Sequence, residues 1–463
     1  MLFVLWEVIT VSERTIAAVS TPPGSGGIGV IRISGDNALK VADRCFKAFS
    51  GQPLDSLDGY RAAYGRIISD GETVDDAVAL VFRAPKSYTG EDVVEISAHG
   101  GSAVMKRVLR TVLKCGAAAA EGGEFTKRAF LNGKLDLSEA EAVMGVISAR
   151  NDAALRISRA AKDGRLSKEI DGITQKLTHT AAAMGVYADY PDDEIPELDS
   201  RGFPEMLSEC KEKLCRLLES YDAGKAVREG IDCAIVGKPN VGKSTVMNAL
   251  CGADRSIVTD IAGTTRDVIE STVAVGDVLL TLSDTAGLHE TDDAVEAAGI
   301  DRARKSLCGA DLIIAVFDLS RPADKNDTEL IGQLYGRPHI AVLNKSDCAP
   351  VFDEGLLKDF KTVKMSAKNG TGLDLLKNAV TEAVGVHRLS AEDAVLISER
   401  QRDCAARALD GINEALSALS AGVTLDAVGV CIDDALSALF ELTGKRVTNE
   451  VADEVFRSFC VGK

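Results

Sequence analysis

A lysine and a serine held among glycines, GKPNVGKS at Gly237–Ser244, follow directly on the apolar run Ile231–Val236. These residue types at this spacing suit phosphate binding at the junction of a strand and a helix N-terminus. Glycines let backbone N–H groups approach phosphate oxygens, Lys243 reaches the β and γ phosphates, and the Ser244 hydroxyl is a ligand for Mg2+. Asn240, Val241, Gly242 and Thr245 share the same expected contact surface. Apolar Val278–Leu282 then leads into Asp284-Thr285-Ala286-Gly287, where Asp284 would hold the metal through its water shell and Gly287 would meet the γ-phosphate. Thr265, in the intervening GTTRD, is the expected second Mg2+ ligand, with Thr259 and Thr264 in the same stretch. Ile340–Leu343 leads into NKSD, Asn344–Asp347, with Lys345 inside it. The Asp347 carboxylate matches the N1–H and 2-amino donors of guanine, a pair that adenine lacks. Ser366-Ala367-Lys368 closes the base pocket after the short run Thr362–Met365. Motifs in this order imply GTP rather than ATP.

A Ras-like switch would carry a water-orienting glutamine after the glycine of DTAG, but Leu288 stands there and cannot hydrogen-bond a water. Catalytic help is therefore expected from oxygen-bearing residues: Asn240, the stretch Thr259–Asp267, and the acidic stretch Glu290–Glu296. A monovalent cation cradled by such oxygens could supply the charge that an arginine finger supplies elsewhere.

The elements that must position these residues are legible in the periodicity. The first 130 or so residues read as mixed α/β, with strands at Gly27–Ser34, Val74–Arg83 and Asp92–Ala98 and a helix at Ser102–Lys114. From about Asp136 the spacing turns helical, with Leu166, Ile170, Ile173, Leu177, Ala181 and Met184 as one stripe. Helical character returns after the nucleotide motifs, with stripes at Leu409, Ile412, Leu416 and Leu419 and at Leu425, Val428, Ile432, Leu436 and Leu439. This pattern predicts an α/β plus all-α protein: a mixed α/β domain, a helical domain made of two separate segments, and an inserted Ras-like P-loop domain. The bland alternative is two independent helical domains flanking the nucleotide domain. The expected boundaries are 1–132, 133–228, 229–386 and 387–463.

Outside the switch, three stretches combine glycine with charge, and they contain Arg32, Glu95 with His99, and Lys134. The plain reading is that Arg32 is a salt-bridged strand residue with Glu95 as partner, and that Lys134 is solvated at a helix start. The chain stops at FCVGK, with a helix expected over Val451–Phe459. The terminal Cys460 is either a small apolar residue in a frayed end or a thiol delivered, with Lys463, to a pocket.

At 463 residues, with 46% hydrophobic and 27% charged residues, about three soluble globular domains are expected. A net charge of −17 argues against autonomous, sequence-blind nucleic-acid binding, so an RNA substrate would need a local basic patch or a basic partner. The 11 cysteines are scattered without a C-x-x-C pair, which fits a reducing cytoplasm rather than a disulfide framework or a zinc site. Met1–Thr10 is apolar but short and contains Glu7, and so reads as an edge strand or a dispensable extension rather than a signal peptide or a membrane span.

Together these residues resemble the MnmE (TrmE) family of tRNA-modification GTPases, from Arg14 to Lys463. The likeness is carried by TIAAVSTPPGSGGIGVIRISG, YTGED, GEFTKRAFLNGKLDL, YPDDEI, GKPNVGKS, TDIAGTTRD, DTAGL and the final CVGK. It implies a site for a tetrahydrofolate derivative, 5,10-methylene- or 5-formyl-THF, on Arg32, Glu95, Lys134 and Lys463. It also implies a K+ site on Asn240, Thr259, Thr264 and the backbone of Ile261, with Mg2+ on Ser244 and Thr265. By the same resemblance Glu296 acts on the attacking water through a second water, making Glu296, Lys243 and Asn240 the expected catalytic group. The resemblance further implies a cytoplasmic homodimer that works with the flavoprotein MnmG (GidA), which brings FAD and NADH. The pair would add an aminomethyl-type group to C5 of the wobble uridine (U34) of certain tRNAs, with no membrane involved. Departures from the family pattern are Ser25, His289 and Val461, and residues 1–13 lie outside the likeness, as a mis-assigned start would leave them. The competing expectation is a ribosome-assembly or RNA-binding switch, but no GXXG loop in a basic helical setting is present.

Overall fold

The computed structural model describes residues 14–189, 202–253, 271–283, 309–385, 393–457 and 459–462. The chain divides into two compact units, one of residues 1–144, 162–211 and 403–463, the other of residues 145–161 and 212–402.

The first unit contains β1 (Ile16–Val19), β2 (Ile28–Ser34), α1 (Ala38–Cys45), β3 (Phe46–Ala48), β4 (Arg61–Ser69), β5 (Glu72–Phe82), β6 (Val93–His99), α2 (Ser102–Lys114), β7 (Ala118–Ala119) and α3 (Glu124–Leu131). The strands form one sheet in the order β3-β4-β5-β6-β2-β1-β7, antiparallel apart from the β1–β7 pair. The period of two gives this sheet two different faces. Ala17, Ile31, Ile33, Val94, Ile96 and Ala98 pack with Leu39 of α1 and Val108 and Val112 of α2. Each buried Ile, Val or Leu side chain here contributes about 1.5–3 kcal/mol by leaving water. Their neighbours Ala18, Arg32 and Glu95 are cross-strand partners on the opposite face. There Phe125 of α3 and Tyr88 pack around Ile16 and Ala18. The expected strands and the helix over Ser102–Lys114 are present, while β1, β3, β4, β7, α1 and α3 lie outside the expected set.

Four helices follow: α4 (Leu137–Ser148), α5 (Asp152–Lys162), α6 (Arg165–Asp189) and α7 (Phe203–Glu229). On α6 the expected stripe is buried at Leu166, Ile170, Ile173, Leu177 and Met184.

In the second unit the order is β8 (Ile231–Val236), α8 (Lys243–Ala253), β9 (Ser271–Val275), β10 (Val278–Ser283), β11 (Leu312–Asp318), α9 (Lys325–Leu334), β12 (His339–Asn344), β13 (Thr362–Lys364) and α10 (Leu373–Ala383). The sheet runs β13-β12-β11-β8-β10-β9 and is parallel except for the β9–β10 pair. Its central strands read as continuous apolar runs because both faces are covered, as in β11, where every residue is buried.

The chain ends with α11 (Glu399–Ser420), α12 (Leu425–Thr443) and α13 (Asn449–Arg457). Two expectations are corrected here. The buried line on α11 runs through Cys404, Ala405, Ala408, Ile412 and Ala415 rather than through the leucines. Small residues are needed because α12 approaches closely: a Cβ on Gly411 would lie 2.9 Å from the Cys431 carbonyl oxygen. The last helix stops at Arg457, short of Phe459. Phe459 instead folds back onto Phe456, beside Leu137 and Ala140. Among the described residues no helix is long and apolar enough to cross a membrane.

Candidate functional site

The carboxyl ends of β8, β12 and β13 open onto a cleft of about 750 Å3 lined by Asn240, Gly242, Lys243, Ser244 and Thr245 on one side and Asn344, Lys345, Asp347, Ser366 and Lys368 on the other. In a parallel sheet this is where ligands bind, because the loops leaving the strands diverge there. The loop after β8 can make its turn only with special backbone. Gly237 has φ +148°, and a Cβ there would sit 2.4 Å from the Val316 carbonyl oxygen. Gly242 has φ +99°, and a Cβ there would lie 2.3 Å from Asn344 Nδ2. Asn240 takes φ +65°, a left-handed conformation that asparagine tolerates better than most residues.

The Lys243 ammonium donates to the carbonyls of Gly237 and Lys238, both at 2.8 Å. Burial holds its pKa below the ordinary lysine range. Asn344 ties the cleft together: Nδ2 donates to the Val241 carbonyl at 2.8 Å and Oδ1 accepts from Ala367 N at 3.0 Å. Exposed Asp347 is kept ionised by a hydrogen bond from Ser366, which holds its carboxyl below the usual range. A carboxylate in this position can accept from two N–H donors of a base edge.

Two further groups of residues carry no signal in the motifs themselves. Lys345 donates to Asp318 Oδ2 at 2.6 Å. Burial pushes the Asp318 carboxyl up, but its bonds from Lys345 and Ser320 outweigh this and hold it below the usual range. Lys238 bridges Asp324 and Asp327, each at 2.7 Å, and these two aspartates form the capping box that starts α9. The available signal is positional: Asp318 ends β11 just as Asn344 ends β12.

The first unit holds a second constellation. Arg32 Nη2 and Nε meet Glu95 Oε1 at 2.8 and 2.9 Å, so the plain cross-strand ion pair exists. Its guanidinium carbon lies 5.1 Å from the Tyr88 ring centroid and 5.6 Å from that of Phe125. Glu95 Oε2 has no hydrogen-bond partner among the described residues. Lys134 is exposed and donates to the Pro85 carbonyl at 3.1 Å. The loop that carries Tyr88 is anchored from beneath by Ser34, Thr89 and Glu91 and by Arg128, whose Nη1 lies 3.0 Å from Glu91 Oε1.

The end of the chain returns to the same sheet. Ser20 donates to the Gly462 carbonyl at 3.1 Å, Gly123 N to that of Cys460 at 3.3 Å, and Val461 pairs with Gly122. Glycines make the approach possible: a Cβ on Gly122 would meet the Phe459 carbonyl oxygen at 2.8 Å, and one on Gly462 would meet that of Val19 at 2.3 Å. Residues 459–462 are therefore seated on the sheet, and Cys460 is exposed rather than packed. Thr259, Ile261, Thr264, Thr265, Asp284, Thr285, Ala286, Gly287, Glu296 and Lys463 lie outside the described residues, as do residues 1–13.

A mainly parallel sheet with a phosphate loop after β8 and base-edge residues after β12 and β13 defines a P-loop GTPase, a GTP hydrolase. The family profile described as GTP-binding protein TrmE N-terminus matches residues 15–134, and that described as MnmE helical domain matches residues 137–460. A protein of Acetivibrio thermocellus named tRNA modification GTPase MnmE is 39% identical over 97% of this chain and 99% of its own length. One of the same name from Listeria welshimeri is 40% identical, with the same coverage of each. The chain belongs to the MnmE family. The structure of Aquifex aeolicus Era bound to GDP and AlF4- matches 39% of this chain and 66% of that one at 26% identity, with a TM-score of 0.27.

Proposed function

We propose that this chain is a potassium-stimulated GTPase that modifies tRNA in the cytoplasm. With an FAD- and NADH-dependent flavoprotein partner of the MnmG kind, it adds an aminomethyl or carboxymethylaminomethyl group to C5 of the wobble uridine (U34), with the carbon supplied by methylene-tetrahydrofolate. The relatives' name supports tRNA as substrate. The observation that supports the folate reading most is the return of residues 459–462 to the sheet that bears Arg32 and Glu95. A carboxylate with one oxygen on Arg32 and the other open suits the donor edge of a pterin, and Tyr88 and Phe125 offer ring faces. Lys134 and the terminal Lys463 are the proposed cations for the ligand's carboxylate or formyl oxygens. A folate derivative bound here supplies the one-carbon unit.

In the cleft, Ser244 and Thr265 are the proposed Mg2+ ligands, and Asn240, Thr259, Thr264 and the Ile261 carbonyl the proposed K+ ligands. Glu296 positions the attacking water. The proposed organisation is a folate-binding and dimerisation domain over 1–132, helical segments over 133–228 and 387–463, and an inserted nucleotide domain over 229–386, in a homodimer.

The test is steady-state GTP hydrolysis in K+ against Na+ at equal ionic strength, with wild type and Asn240→Ala. Potassium selectivity that the variant loses is the expected result. Equal slow rates in both salts would remove the potassium mechanism.

A further inference from the structure

The sheet of the first unit has one face that carries Arg32 and Glu95 and another covered by α1 and α2, and the outside of that helical layer is strongly basic. Helix α2, SAVMKRVLRTVLK, has four basic residues and no acidic one. Lys106, Arg110 and Lys114 stand at i, i+4 and i+8, which places them on one stripe about 12 Å long. All three are exposed, as is Arg107. On α1 the exposed Lys40 and Arg44 repeat the i, i+4 spacing. The two stripes are joined, because Arg44 Nη1 donates to the Cys115 carbonyl at 2.7 Å, just past the end of α2. The acidic residue of α1, Asp43, is already used: its oxygens accept from Leu54 N at 2.6 Å and Asp55 N at 3.0 Å. Arg107 and Lys114 pair at the rim with Glu72 and Asp70, whereas Lys40, Lys106 and Arg110 have no side-chain partner among the described residues.

An ordinary solvated helix mixes both signs of charge, and this chain has 70 acidic residues against 53 basic ones. A surface with this excess of cations on such a protein is complementary to a polyanion. The two helices present exposed Lys and Arg side chains on long flexible stems, which suits phosphates rather than sequence. We infer that the outer face of the α1–α2 layer is where this chain meets the phosphate backbone of its RNA substrate. This rests on the tRNA reading above and adds to it the contacting surface.

The test uses the full-length chain and an unmodified tRNA transcript titrated across a KCl series from low salt. Lys106→Glu/Arg110→Glu is compared with Lys358→Glu/Lys361→Glu, which makes the same change of net charge on the other unit. In the first variant affinity should fall about tenfold or more, and the slope of log affinity against log salt should become shallower by about 1.5–2, two phosphate contacts' worth. The control should bind like wild type, and GTP hydrolysis should be equal in all three. Lys106→Gln/Arg110→Gln, which only neutralises the charge, should show the same slope change should the reversed pair disturb folding. Unchanged binding by both α2 variants, or equal loss in the control, would overturn the inference alone. Absence of tRNA binding by wild type at low salt would overturn it together with the reading it rests on. Wild-type binding to anionic lipid vesicles without binding to tRNA would do the same and assign the face to membranes.

Discussion

Among the described residues, those lining the nucleotide cleft come from short contiguous stretches at the carboxyl ends of strands, whereas the Arg32 site draws on Ser20, Arg32, Tyr88, Glu95, Phe125 and Gly462, residues up to 442 positions apart. The first arrangement rests on glycines within each loop and on Asn344, which ties the loops together through Val241 and Ala367. The second depends on the register of β2 with β6 and on the seating of the terminus, so changes with no charge at all should disable it. A local motif takes its shape from a few neighbouring residues; an assembled site depends on distant ones.

The largest expected effects lie in the cleft. Asp347→Asn should weaken GTP binding about a hundredfold, because a charged acceptor of two donors is lost, and should improve binding of xanthosine triphosphate, whose base edge offers a carbonyl there. A titration with the two nucleotides checks this, and an unchanged GTP affinity would place the base elsewhere. Glu296→Ala should retain GTP binding and lose about a hundredfold or more in hydrolysis, in the range expected for a group that acts on the attacking water. Undiminished turnover removes Glu296 from the mechanism.

In the assembled site, Gly462→Ala should lower affinity for 5-formyl-tetrahydrofolate about tenfold or more while GTP affinity stays the same, because its Cβ would clash with the Val19 carbonyl oxygen and unseat the tail. Retained folate binding would break the proposed difference between the two regions. Arg32→Ala should abolish folate binding and also cost about 1–3 kcal/mol of stability, since Glu95 keeps a half-buried charge without its partner. A urea titration of wild type and variant measures the second effect.

The smallest effect concerns Asp136, which exchanges hydrogen bonds with Glu139 at the start of α4. Burial raises its pKa above the ordinary carboxylate value. A raised folded-state pKa means that the protonated form is favoured on folding, so stability is greatest below the unfolded pKa and is lost as pH rises through the folded one. Asp136→Asn keeps a good cap and removes the desolvated charge. It should raise the denaturation midpoint slightly at pH 7, and the gain should vanish below about pH 4. Unfolding curves at both pH values decide it, and neither nucleotide nor folate binding should change.

Much of the cleft is legible in the amino-acid sequence, because its motifs are local. An apolar run followed by GKPNVGKS dictates a buried strand, a left-handed turn and a helix start whatever surrounds them, and β8 and α8 follow that reading. The same holds for NKSD and SAK at the ends of β12 and β13. Less is legible where a choice depends on neighbours. Leucine spacing on α11 does not reveal that α12 comes close enough to require alanine and Gly411 in the contact line. Nor does the NKSD motif reveal that Lys345 is held by Asp318 from an adjacent strand. Residue types by themselves determined that the chain can bind phosphate and a guanine edge, since those contacts depend on backbone freedom and functional groups within a few residues. The Arg32–Glu95 pair is already the plain reading of two charged strand residues; only the tertiary structure decided that Tyr88 and Phe125 flank it and that Val461 and Gly462 lie against the same sheet. Those contacts depend on strand register and chain return, which loop closure over hundreds of residues leaves unspecified until the core packs.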